Sequence, residues 1–269
     1  MIFYYSGCGD SRWVAQELSR RLEQELFFIP QELKGNCLYT LKGNEPLGFV
    51  FPTYAWRPPL IVRQFVQKMR IDSSDRNPYT FMVTTCGDSI GRADKIFVRL
   101  LQRSLSLPLQ AAYSIIMPET YVNLPGFILD SKQNEESKLA LAQTNLPIIA
   151  DFLKHKDTEI NVKRGKTPWL NSSIVAWLFE KLLITDRRFK VEQQCIGCGK
   201  CSEVCPADNI TMEPLPGQPS SFNTSKVMLK PQWHGRCLSC MACYHYCPTN
   251  AIQWGNATKG KGQYHFPEK

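Results

Sequence analysis

Cys195-Ile196-Gly197-Cys198-Gly199-Lys200-Cys201-Ser202-Glu203-Val204-Cys205-Pro206 is answered, 42 residues downstream and without a gap, by Cys237-Leu238-Ser239-Cys240-Met241-Ala242-Cys243-Tyr244-His245-Tyr246-Cys247-Pro248. Each half reads C-x2-C-x2-C-x3-C-P, and Ile210 and Ile252 extend the repeat. Three cysteines at three-residue spacing wrap one iron–sulfur cube, while the fourth, led away by its proline, ligates the other cube. On that rule Cys195, Cys198, Cys201 and Cys247 hold one [4Fe-4S] cluster, and Cys237, Cys240, Cys243 and Cys205 hold the second. Gly197 and Gly199 let the backbone approach the inorganic sulfides without a Cβ clash. Structural zinc uses separated C-x2-C pairs around one tetrahedral ion, which two complete four-cysteine sets fit poorly. Clusters ligated only by cysteine offer no open iron to a substrate, so their chemistry is one-electron transfer.

The chain around this repeat has 269 residues, 43% of them apolar, with 14 Phe, 10 Tyr and 6 Trp to build a core. No apolar run reaches the roughly 18 residues of a membrane-spanning helix. The opening Met1-Ile2-Phe3-Tyr4-Tyr5 shows no secretory signal. Of 11 cysteines, only Cys8, Cys37 and Cys86 lie outside the repeat. That usage points to metal ligation in a reducing, cytoplasmic compartment and not to a disulfide framework. The net charge of +8 counts the apoprotein. Two oxidised clusters at about −2 each and a flavin phosphate at about −2 would bring it to roughly +2, so no nucleic-acid partner is expected.

Residues 1–155 alternate strand and helix patterns. Strands are expected at Ile2–Tyr5, Leu26–Ile29, Leu47–Phe51, Thr80–Thr84 and Ala112–Met117. Helices carry Val14, Leu18 and Leu22; Ile61, Val62, Phe65 and Val66; Ala93, Phe97 and Leu101; and Leu139, Ala142, Leu146 and Leu153. Pro30–Pro46 reads as a loop, and Pro147 should kink or interrupt the last helix. Right-handed crossovers favour an α/β doubly wound parallel sheet, for which 2-1-3-4-5 is one of the common orders. Residues 156–190 form a connector whose helix, apolar around most of its circumference, suits a wedge between two domains. Residues 191–269 make a small α+β two-cluster domain with a basic tail, too small to stand without metal. Pro206 to Gly235, with Pro214, Pro216, Gly217, Pro219, Ser220 and Ser221, reads as an added hairpin or loop. His155, His234, His245 and His265 read as surface or packing residues.

Three loops at strand carboxyl ends carry the remaining signal. Ser6-Gly7-Cys8-Gly9-Asp10-Ser11 enters a helix, where backbone N–H groups suit a phosphate. It is no dinucleotide fingerprint, because Arg12 stands where a third glycine belongs. Pro52, Thr53, Tyr54 and Trp56 offer aromatic faces to a flat heterocycle. Thr85, Cys86, Gly87 and Asp88 offer polar backbone to its edge. Ligands of open parallel sheets bind in this crevice, so the three loops together point to a flavin. The parent strands of Cys8 and Cys86 lie two spacings apart, roughly 9–10 Å, which leaves both thiols free.

These residues resemble the small flavodoxin–ferredoxin fusion family common in anaerobes. The likeness covers Phe3 to Gly7, Ser11 to Ala15, Pro52 to Pro59, Thr85 to Asp88, Met117 to Tyr121, both cysteine sets and Thr258 to His265. It implies FMN in a flavodoxin-like domain and two [4Fe-4S] clusters in a ferredoxin domain. The family loop Ser-Gly-Thr-Gly-Asn-Ser is altered here: Cys8 replaces a hydroxyl donor and Asp10 an amide donor, which weakens a phosphate site.

The leading expectation is an electron-transfer oxidoreductase linking a flavin to the clusters and serving a redox partner protein, acidic if Lys259 and Lys261 dock it. The alternatives are a flavin-free relay whose first domain docks a partner, and a flavin-dependent reductase of a small substrate shaped by Tyr54, Trp56, Arg57 or Asp88. No catalytic residue is assigned.

Overall fold

The computed structural model describes residues 1–124, 126–214 and 229–267. Its first half runs β1 (Ile2–Tyr4), α1 (Asp10–Leu22), β2 (Leu26–Phe28), α2 (Ile29–Glu32), β3 (Leu38–Leu41), β4 (Leu47–Pro52), α3 (Leu60–Lys68), β5 (Arg70–Ser73), β6 (Thr80–Cys86), α4 (Ala93–Leu105), β7 (Ala111–Ile116), α5 (Lys132–Lys154) and β8 (Ile160–Asn161). Six strands pair in parallel in the order β2-β1-β4-β6-β7-β8. Within this sheet that is the order 2-1-3-4-5, with a two-residue sixth strand at the edge.

Successive strand residues point to opposite faces, so each strand feeds two cores. Phe3, Phe49 and Phe51 pack with Phe65 of α3 and Phe97 of α4 on one face. Ile2, Val50 and Val83 pack with Val14 and Leu18 of α1 and Leu146 of α5 on the other. Both faces are covered, as continuous apolar strands require. Strand order reverses between β1 and β4, which opens a crevice above their carboxyl ends.

Two local expectations need correction. The segment Pro30–Pro46 is not all loop: it holds the end of α2, and β3 pairs in parallel with β5 in a separate two-stranded sheet. Only Tyr39 and Leu41 of that strand turn toward the core, too short an alternation to read from sequence. The helix around Pro147 is also continuous over 23 residues. The carbonyl that loses its partner there belongs to Gln143, which is exposed and can be hydrated.

The connector contains α6 (Pro168–Leu170), a π-turn at Asn171–Val175 and α7 (Ala176–Leu182) in one helical run. Arg57 donates to the carbonyls of Ser172 (2.7 Å) and Ser173 (3.1 Å) and pairs with Glu180 at 3.0 Å. The buried Ser172 hydroxyl donates to the Trp56 carbonyl at 2.9 Å and accepts from the Arg92 N–H at 2.8 Å. At its far end the Leu183 carbonyl accepts from the Ser239 hydroxyl at 3.3 Å. The helix thus touches both halves of the chain, as a wedge should.

The last part carries β9 (Phe189–Val191), α8 (Lys200–Glu203), β10 (Ile210–Pro214), β11 (Leu229–Trp233), α9 (Ala242–His245) and β12 (Ile252–Trp254). β9 pairs antiparallel with β12, and β10 with β11. The latter ladder is the expected inserted hairpin; its connection, residues 215–228, lies outside the described residues. The sequence repeat is also structural, since α8 and α9 occupy corresponding places. Gly197 (φ 68°) and Gly199 (φ 76°) are matched by Ser239 (φ 55°) and Met241 (φ 59°). The second half therefore holds a left-handed backbone without glycine, at about 1–2 kcal/mol per residue.

Gly48 of β4 lies directly beneath the Phe81 ring, which a Cβ would enter. Gly48→Ala is expected to lower stability by about 1–3 kcal/mol, read by denaturant unfolding of the anaerobic protein.

Candidate functional site

The crevice above β1, β4 and β6 is a cavity of about 560 Å³, within the range of small-molecule sites. Every residue singled out in the three loops lines it except Gly9. Three further elements complete its wall. Met117 to Tyr121 follow β7, Leu178, Phe179 and Leu182 come from the connector, and Ser239, Cys240 and Met241 come from the second cysteine motif. The connector's apolar stripe foreshadowed the second element. Nothing in the spacing of either motif indicated that Cys240 would reach the first loop.

That reach is close. A Cβ on Gly7 would stand 2.9 Å from Cys240 Cβ and 2.8 Å from Tyr54 Oη. The Cys8 thiol donates to the Cys240 carbonyl at 3.5 Å. Burial pushes the Cys8 thiol well up, reinforced by Cys240 and Asp10. Cys86, free like Cys8, is pushed up to about 12, again mainly by burial. Tyr5 is fully buried, and its hydroxyl has no hydrogen-bond partner although it faces Tyr54 and Cys240.

The cysteine-rich part holds a second, smaller cavity. Cys205, Cys237, Cys240 and Cys243 line it together with Phe189, Ile210 and Trp233. One cysteine of the first motif is thus brought to three of the second. The reciprocal group forms around Cys201, which burial pushes up to about 11, with Cys247, Cys195 and Cys198 adding to the rise. Among the described residues no His, Cys, Asp and Glu side chains group as a single-ion site. Soft thiols converging from both motifs suit a cube better than zinc, and a thiolate on Cys240 would give the Tyr5 hydroxyl an acceptor.

The loop between Tyr54 and Arg57 is a tight two-residue turn closed by reciprocal N–H···O bonds of 3.0 Å. Ala55 (φ 45°) and Trp56 (φ 58°) both take the left-handed backbone that such turns normally give to Asn-Gly. The turn presents Trp56 to the cavity and fixes its indole N–H on Ser89 Oγ at 3.3 Å. Arg57 does not line the cavity; its guanidinium is taken up by the connector. Gly87 packs against the Glu119 carboxylate with no room for a side chain. Asp88 stands exposed at the rim, 3.3 Å from Lys163.

The Ser6–Ser11 turn is sealed from within. Ser6 Oγ accepts from the Gly9 N–H at 3.1 Å, and Ser11 Oγ bonds Thr85 Oγ1 at 2.8 Å. The Asp10 carboxyl accepts from the Tyr264 hydroxyl at 2.8 Å. Phe266 stacks on Trp13 (centroids 5.2 Å) and donates its N–H to the Cys8 carbonyl at 2.8 Å. The tail is held by Lys261, whose ammonium donates to the carbonyls of Val122, Leu124 and Phe127 at 2.6–2.8 Å. Lys261 is therefore a structural clamp and not a partner-docking charge. His245, also buried, bonds the Thr120 carbonyl at 2.7 Å and accepts the Tyr264 N–H at 3.1 Å. It is a packing residue that ties the two halves and the tail. A flat ring fits the apolar cavity, whereas a phosphate dianion meets a carboxylate at the turn.

Residues 194–252 match the 4Fe-4S dicluster domain family, which makes this segment a ferredoxin-type iron–sulfur domain. An uncharacterized polyferredoxin-like protein of Methanocaldococcus jannaschii is 31% identical over 62 residues, 23% of this chain and 37% of that protein. The chain thus spans little over a third of that relative's length. Among solved structures, a Streptococcus pneumoniae flavodoxin aligns over 55% of this chain and 97% of its own at 12% identity and a TM-score of 0.29. A Bacillus anthracis azoreductase aligns over 57% and 98% at 8% identity and a TM-score of 0.33. The parallel sheet itself, not these scores, carries the assignment of a flavodoxin-like topology. No described helix is long and apolar enough to cross a membrane.

Burial raises the Asp10 carboxyl from 3.8 to about 7, against the pull of Tyr264 and its own N–H, with Glu135 and Glu119 adding to the rise. A raised carboxyl binds its proton more tightly folded than unfolded, so stability is expected to fall as pH rises from about 4 to 7. Asp10→Asn should remove that component, about 2–3 kcal/mol between pH 5 and pH 8, read by denaturant unfolding at the two pH values.

Ala55→Gly relieves one strained position and is expected to stabilise the fold by about 1 kcal/mol in the same unfolding measurement.

Proposed function

We propose that this chain is an electron-transfer oxidoreductase of the flavodoxin–ferredoxin fusion type, binding a flavin in the large cavity and two [4Fe-4S] clusters in the carboxy-terminal part. The observation that carries this reading is Cys240, the one cysteine that lines both cavities. Cys237, Cys240, Cys243 and Cys205 would hold the cluster beside the cavity. Cys195, Cys198, Cys201 and Cys247 would hold the outer one. A bound flavin would supply exchange between paired and single electrons.

The protein's own residues define the rest of the route. Tyr54 and Trp56 wall the cavity against water on one side, and Leu178, Phe179 and Leu182 on the other. Gly7 permits the contact with Cys240 that any side chain would push apart. The Tyr5 hydroxyl is placed to donate to a thiolate there and so favour the reduced cluster. Cys198 is exposed and Ile196 is 64% exposed, so the outer cluster faces solvent where a redox partner protein can dock.

Anaerobic iron and sulfide analysis should give about eight of each per chain, with the broad visible absorption of iron–sulfur clusters. Cys240→Ser is expected to lose about half the iron while retaining the outer cluster, whereas loss of all iron, or zinc in its place, would contradict the assignment.

A further inference from the structure

The turn after β1 has every ordinary feature of an anion site: backbone N–H groups, a glycine at φ 101° and the start of a 13-residue helix. Two of its polar groups are nevertheless engaged within the protein: the Gly9 N–H goes to Ser6 Oγ, and the Ser11 hydroxyl is joined to Thr85 Oγ1. Asp10 is 7% exposed, and its outward oxygen is bonded by Tyr264, a residue 6% exposed. The charges that act on Asp10 most strongly, Glu135 and Glu119, are negative too. Phe266 closes the outside of the turn, where a Cβ on Gly9 would stand 2.8 Å from its own Cβ.

An acidic side chain therefore lines the turn where an external anion would bind, and the tail that holds it belongs to the fold. The rest of the cavity, walled by aromatic and aliphatic side chains, makes no such objection to a flat neutral ring. Resting on the flavin reading above, we infer that this cavity selects a flavin without a terminal phosphate, of the riboflavin class, and that Asp10 is the residue that rejects the phosphate. The weakly polar thiol of Cys8 in place of a hydroxyl donor acts in the same direction, since it does not reward a charged ligand end.

The test uses the full-length, cluster-loaded chain under anaerobic conditions, freed of bound flavin and titrated with riboflavin and with FMN by quenching of flavin fluorescence. Riboflavin is expected to bind at least tenfold more tightly than FMN, and millimolar inorganic phosphate should leave its titration unmoved. In Asp10→Asn the ratio of the two affinities should shift toward FMN by at least tenfold. FMN binding as tightly as riboflavin to the unaltered chain overturns the inference, as does an unchanged ratio in a folded Asp10→Asn protein. If that variant does not fold, the two titrations of the unaltered chain decide alone. Binding of neither flavin removes the flavin reading itself, and this inference with it.

Discussion

The packing of Cys240 against Gly7 is the constraint on which the rest of the structure depends. It joins the loop after the first strand to the second cysteine motif with no atom to spare. Much of the chain serves to hold it. Ser239 and Met241 accept positive φ on either side of Cys240, where the first motif uses glycines. The connector is anchored at one end by Arg57 and Ser172 and at the other by Ser239. His245 and the tail fasten the second motif to the loop after β7. Each is a specific polar contact between parts distant in sequence, so the geometry is fixed by many modest bonds and not by one strong one.

Electrostatics makes this arrangement conditional on iron. Cys201, Cys237 and Cys240 are pushed up to between about 11 and 12 by burial, and neighbouring cysteines add to the rise in each. Metal binding needs them as thiolates, so loading the sites releases protons and couples to folding. The clusters' negative charge is then set against a chain carrying +8. Asp10 is a further buried acidic group, bonded by Tyr264 and acting on the Cys8 thiol.

Much of this was legible beforehand because it rests on local rules. Period-two and period-3.6 apolar patterns gave the strands and helices of the main sheet, and handed crossovers gave its doubly wound form. The repeated cysteine spacing located the segment that matches the 4Fe-4S dicluster family. What escaped depends on contacts that no local pattern records. The β3–β5 pair is a four-residue strand with two inward side chains. The continuity of α5 through Pro147 turns on which carbonyl faces water. Arg57 looked like a pocket residue because its neighbours are, yet two carbonyls of a π-turn more than a hundred residues away claim it. The tail read as a solvated basic segment, but Lys261 finds three carbonyls in the loop after β7, and Tyr264 finds Asp10.

The contact between the two cavities makes the most direct prediction for electron flow. Flash photoreduction of a flavin bound in the large cavity, followed by bleaching of cluster absorbance, measures it. A bleaching rate independent of protein concentration is expected, since the donor and the Cys240 cluster belong to one molecule. A rate proportional to protein concentration, or no bleaching at all, would contradict the account.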